Sequence, residues 1–228
     1  MMKRALGVGW NELAPGVKAH YDLDPSEEEN LTLKGLMNEV YHSRSAKLFI
    51  LFGRVFGALV PYCGTQIPTV VRNWTRKDDR DVLHWHRTLN FPNRTPVTFS
   101  SRMVSRQPNE IIEFVRYGMG IRMSISVVDH ALVYRGIDYV WIVAGRQIHL
   151  PNWLILGDAI ITEKALSETC FQLNFEINHP WLGKTFSYCG EFSLTAVERG
   201  VESDIVKPPA KRNSNDNSNV PDIIKSRN

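Results

Sequence analysis

Over residues 81–194 apolar side chains keep recurring at every second position, and that period limits the fold more than any other feature. In residues 81–91, Leu83, Trp85, Arg87, Leu89 and Phe91 share one side, and Val82, His84, His86 and Thr88 share the other. The same alternation runs through Val97, Phe99, Ser101 and Met103, and then through Ile121, Met123, Ile125 and Val127. It returns in Phe171, Leu173, Phe175 and Ile177, and in Phe186, Tyr188, Phe192 and Leu194. Successive side chains of a strand face opposite ways, so each run predicts a strand with one buried and one wet face. That pattern belongs to antiparallel sheets, because parallel strands are covered on both faces. Short polar links such as 77–80, 92–94, 107–109, 117–118 and 183–184 fit hairpins, and no ten-residue helix fits between the runs. The expected fold class is α+β, mainly antiparallel β. It is a meander of about eight to ten strands forming a curved sheet, half-barrel or barrel, with one main helix packed on it.

Upstream of the strands, expected mainly in residues 68–195, lies a helical N-terminal part at 10–60. Pro15-Gly16 breaks residues 10–21 into short helical turns, and residues 22–30 form an acidic loop. Residues 31–41 read as a first strand interrupted by Gly35. Ser45 is the expected N-cap of a helix over residues 48–60, ended by Pro61. Its wide apolar face would hold Leu48, Phe49, Phe52, Val55, Phe56 and Leu59. The run contains Arg54 and falls short of the roughly 20 apolar residues of a spanning helix. A core helix is expected, with contact to a membrane surface as the other reading.

Composition adds boundaries. With 228 residues, 43% hydrophobic and 22% charged, residues 1–199 suit a single β-rich domain. Residues 200–228, rich in Asn, Ser and Pro, read as a disordered tail. A net charge of +3 with scattered Lys and Arg argues against a nucleic-acid partner. Cys63, Cys170 and Cys189 form neither a disulfide framework nor a zinc set, which fits a cytoplasmic location. No secretory signal is visible, and no cofactor is expected.

One residue conflicts with its position. Arg87 lies on the apolar face, between Trp85 and Leu89. A guanidinium out of water needs a partner, and Glu113 is the candidate. Such a pair is either structural or the anion-holding element of a cavity walled by Trp85, Phe99 and Tyr188. His84 and His86 share the opposite face at a spacing that could bind zinc, but no third ligand can be placed, so they are weak metal candidates.

The order of Trp85-x-Arg87, Phe99-x-Ser101, Glu113 with Gly118, His179-Pro180-Trp181-Leu182-Gly183 and Tyr188-x-Gly190 resembles a bacterial domain family of unknown function. The resemblance covers residues 6–195, and Leu89 departs from it where the family favours an aromatic. Domains of that family often follow a saccharopine-dehydrogenase-like, NAD-binding domain, so the resemblance implies an oxidoreductase partner. Ser101, on one side with Phe99, joins Trp85, Arg87, Phe99, Glu113 and Tyr188 as the ligand-binding candidates. Three functions stay open: a non-catalytic module for a small amphipathic or acyl-like ligand, an enzyme using Arg87 with a carboxylate or histidine, and a structural domain with a filled core. They differ in whether the sheet encloses empty space.

Overall fold

The computed structural model describes residues 1–27, 29–57 and 59–198. The expected tail at 200–228 lies outside the described residues. The chain opens with three short helices, α1 (Met2–Leu6), α2 (Gly9–Glu12) and α3 (Pro15–Lys18). Strand β1 (Asn30–His42) follows, then helix α4 (Lys47–Phe56). Ten strands complete the fold: β2 (Gly64–Arg76), β3 (Asp79–Leu89), β4 (Val97–Gln107), β5 (Glu110–Phe114) and β6 (Met119–Val128). After these come β7 (Ala131–Val143), β8 (Arg146–Leu150), β9 (Asp158–Ala165), β10 (Cys170–His179) and β11 (Gly183–Glu198).

Every pairing is antiparallel, in the order β6-β5-β4-β3-β2-β1-β11-β10-β9-β7, and β6 pairs with β7 to close the ring. Ten strands therefore form a closed barrel, and β8 hangs on β7 outside the ring. Closure removes the free edges that an open sheet would expose. The alternation read from the sequence is the inside–outside alternation of this wall: Leu83, Trp85 and Leu89 are buried. Ile112 and Phe114 of β5 pack with Val140 in a separate cluster away from the main core. Fully buried side chains such as Phe186, Phe192 and Leu33 each contribute about 1.5–3 kcal/mol of hydrophobic stabilisation.

Because the strands alternate in direction, all connections fall at two ends. At one end α1–α3 form a plug, with Met2, Leu13 and Val17 buried. Backbone bonds hold it: Asn109 N–H donates to the Ala5 carbonyl, and Ala14 N–H to that of His130. Pro15-Gly16 starts α3 rather than breaking a helix. A Cβ on Gly16 would lie 2.1 Å from the Ser167 carbonyl oxygen, so only glycine lets α3 reach the β9–β10 turn.

The other end is the mouth, and there the expectations for the helix need correction. Ser45 does not cap it: the N-cap is Ala46, without a side-chain cap bond, and Ser43 Oγ accepts from Ala46 N–H at 3.1 Å in the turn before the helix. The helix ends at Gly57 in the left-handed conformation (φ 67°), before Pro61 is reached. Its outer stripe is not buried in a core: Leu48, Leu51 and Val55 are 63%, 59% and 60% exposed. The other stripe, with buried Ala46 and Ile50, faces the barrel. The first strand expected over residues 31–41 is present as β1.

Candidate functional site

Under α4 the barrel holds a cavity of about 420 Å³, lined almost entirely by apolar groups. Phe49, Gly53 and Phe56 of α4 form its roof, and Ile121, Met123 and Ile161 are among its walls. Leu150, Ile155 and Leu156, from β8 and the segment after it, complete the side nearest the mouth.

Arg87 and Glu113 stand at the inner limit of this space. Arg87 Nη1 donates to Glu113 Oε1 and to Ser101 Oγ, both at 2.9 Å, and Ser101 Oγ donates to Glu113 Oε1 at 2.6 Å. The guanidinium lies 4.7 Å from the Trp85 ring centroid and 5.3 Å from that of Phe99. The strand register explains the grouping, because Arg87 faces Phe99 and Trp85 faces Ser101 across β3–β4. The two side chains keep 14% and 15% of their surface accessible, and both line the cavity. Burial opposes the guanidinium charge, yet Glu113 and the Tyr188 hydroxyl outweigh it and raise the Arg87 pKa further. Burial also pushes the Tyr188 hydroxyl up to about 12. All six ligand-binding candidates are thus drawn together except that Trp85 and Ser101 touch the Arg87 side chain without lining the larger cavity.

Behind this pair is a smaller space of about 50 Å³, which shares Arg87, Glu113, Ile161 and Tyr188 as wall. Beyond it sits a polar cluster that sequence reasoning missed. Tyr134 and Tyr21 hydroxyls are hydrogen-bonded to each other, and Tyr21 donates to the Glu163 carboxylate at 2.9 Å. His20 Nε2 meets the same carboxylate at 3.2 Å, and its ring stacks on Phe171 at 4.1 Å. Burial, then the Glu163 charge, raises both tyrosine hydroxyls well above their usual range. The result is a row of protonated hydroxyls leading to a buried carboxylate. His20 Nδ1 and Trp85 Nε1 have no hydrogen-bond partner among the described residues.

The histidines of β3 do not join the site. His84 stacks on Trp74 at 5.4 Å and His86 bonds Ser100 Oγ at 2.8 Å. Burial, and then Arg76 or Arg72, lowers both imidazole pKa values. No group of three potential ligand side chains capable of holding a metal occurs among the described residues. His179 has a structural part in the mouth. Its Nε2 meets the Trp153 carbonyl at 2.7 Å, while Nδ1 accepts from Trp181 and Leu182 N–H. It therefore pins two exposed tryptophans, whose rings lie 5.7 Å apart.

Against known proteins, a family model described as a domain of unknown function, DUF4166, matches residues 13–192. The uncharacterized protein YndH of Bacillus subtilis (strain 168) is 22% identical over 193 residues, covering 81% of this chain and 92% of its own. Among solved structures, Rv2717c from M. tuberculosis aligns with TM-score 0.40 at 9% identity, over 81% of this chain and 99% of its own. The S-type phycobiliprotein lyase CPES from Guillardia theta aligns with TM-score 0.32 at 8% identity, over 79% and 93%.

Proposed function

We propose that this chain, which belongs to the DUF4166 family of domains of unknown function, is a binding module for one small amphipathic, acyl-like ligand. The observation that carries the reading is the unfilled apolar cavity with a charged group at its inner limit. Its size falls within the roughly 300–1,000 Å³ usual for ligand sites, and a filled-core domain has no use for it. The apolar body of the ligand occupies the space under α4. Its polar end meets Arg87, Glu113 and Tyr188, groups already held in place by Ser101 and the flanking rings. The resemblance to domains found behind NAD-binding dehydrogenase-like domains supports an oxidoreductase as the protein served.

The test is native mass spectrometry of the purified protein, followed by titration with a fluorescent fatty acid. Ile121→Trp projects a larger ring into the cavity and is expected to weaken binding at least about tenfold. It should cost no more than about 1 kcal/mol of stability, because the added atoms occupy empty space. Unchanged affinity in this variant, with the fold intact, places the ligand elsewhere and defeats the reading.

A further inference from the structure

We propose that the mouth of the barrel docks on an anionic lipid bilayer, with α4 lying in the interface. This goes beyond the cavity reading and does not depend on it.

The first observation is where apolar side chains are exposed. Leu48, Leu51 and Val55 on α4 are joined at the same end by Tyr117 (70% exposed), Trp153 and Trp181 (75%). They come from four different connections, α4, β5–β6, β8–β9 and β10–β11, which the up-and-down topology brings to one rim. α4 is apolar on both of its long stripes, one facing the cavity and one facing out. Lys47 and Arg54 lie between these stripes; an apolar stripe belongs against a core or lipid, and only one of the two has a core. Trp and Tyr are the side chains that favour the boundary between lipid and water.

The second observation is charge. The five connections at the mouth span residues 43–63, 90–96, 115–118, 144–157 and 180–182. They carry Arg44, Lys47, Arg54, Arg94, Arg116 and Arg146, and no Asp or Glu. Near this end, Asp158 accepts from Asn152 at 2.6 Å, Glu176 pairs with Lys184 at 2.6 Å, and Glu39 is exposed on β1 below the rim. Carboxylates gather at the plugged end instead, as Asp22, Asp24, Glu27, Asp129 and Glu168, among Lys3, Arg4 and Lys18. A cationic, apolar rim opposite an acid-bearing end orients the molecule mouth-first toward negative headgroups. A second copy of the same cationic rim is a poor complement to it, which favours the bilayer over self-association.

The test uses the full chain and flotation with vesicles of phosphatidylglycerol and phosphatidylcholine in equal parts. Binding is expected to these vesicles, to weaken with added salt, and to be absent with phosphatidylcholine alone. Lys47→Glu with Arg54→Glu should reduce it by at least about tenfold, since each cation near such a surface is worth roughly fivefold. Leu51→Gln with Val55→Gln should also reduce it at least about tenfold. Both pairs alter exposed positions, and circular dichroism and melting check that each variant is folded. Val8→Gln, at an 84% exposed site on the plugged end, should change nothing. Brominated lipid should quench tryptophan emission in the native chain, and less in Trp153→Phe with Trp181→Phe, where Trp141 beside Phe56 remains. Absence of flotation overturns the proposal, as does equal binding to neutral vesicles or indifference to both rim pairs. So does a dimer in sedimentation that the Leu51 and Val55 changes dissolve while vesicles are ignored. Fatty-acid titration of the same variants reads the cavity separately, so a failed docking surface and a failed ligand site give different results.

Discussion

Arg87 and Glu113 are the residues whose energetics most directly separate a structural part from a binding part. Each is mostly buried, and each holds the other's charge. Removing one partner of such a pair strands the other, at a cost of about 3–5 kcal/mol, whereas removing both is often close to neutral. Arg87→Met is therefore expected to destabilise by about 3 kcal/mol, and adding Glu113→Gln to return at least about half of it. Urea unfolding of the two single variants and the double variant gives the coupling. If the pair also anchors ligand, the double variant folds and loses the fluorescent fatty acid. Additive losses would mean the two groups do not share their charges. Arg87 was legible because a strict alternation fixes its side, and a slip by one residue would expose Leu83, Trp85 and Leu89 together. Glu163 carries the same signal in β9, on one face with Ala159 and Ile161, and a count of charged residues at inward positions finds it. Tyr21 and His20 give no such signal, since they lie in an irregular segment without a period.

At the level of elements, the expectations failed where burial is two-sided or absent. β7 begins with four consecutive buried residues, Ala131–Tyr134, so no alternation marks it. α4 has a helical period, but the period locates an apolar stripe without saying what covers it. The strand pair β7–β8 rests on a polar clasp. Arg122 of β6 donates to both Asp138 oxygens, at 2.9 and 2.7 Å, and His149 of β8 reaches Asp138 at 2.9 Å. Burial alone would raise the Asp138 pKa, yet the bonds from Arg122 and His149 outweigh it and hold the carboxyl below its usual range. A carboxyl depressed in the folded state adds stability above its unfolded pKa, and that stability is lost as pH falls through the lowered value. Asp138→Asn should then cost about 1–2 kcal/mol near neutrality, and the gap to the native chain should shrink below about pH 4. Urea melts across a pH series check this, and a gap that stays constant into acid would rule the clasp out.

On the scale of the molecule, the hairpin pattern specified an antiparallel meander, and closure depended on a contact that pattern could not announce. The pairing that joins the two ends of the meander is β1 against β11, with Asn30 opposite Glu198. Nothing in either strand names the other, because the period sets a face and not a neighbour. The same contact orders events during synthesis. Until residues 183–198 have left the ribosome, β1 and β10 both present unpaired edges, and the interior stays open to water along the gap. Pairing over so long a separation is slow as well, in the range of milliseconds to seconds for β topologies. A ribosome-tethered chain ending at residue 182 should be cut by protease along its whole length, whereas one carrying β11 and enough sequence to clear the tunnel should resist. A protected fragment already present at residue 182 would show that the strands gather before the ring can close. The translating cell, on this account, holds an unfinished barrel for most of the time it takes to make one, and a chaperone that shields open strand edges has its longest opportunity here.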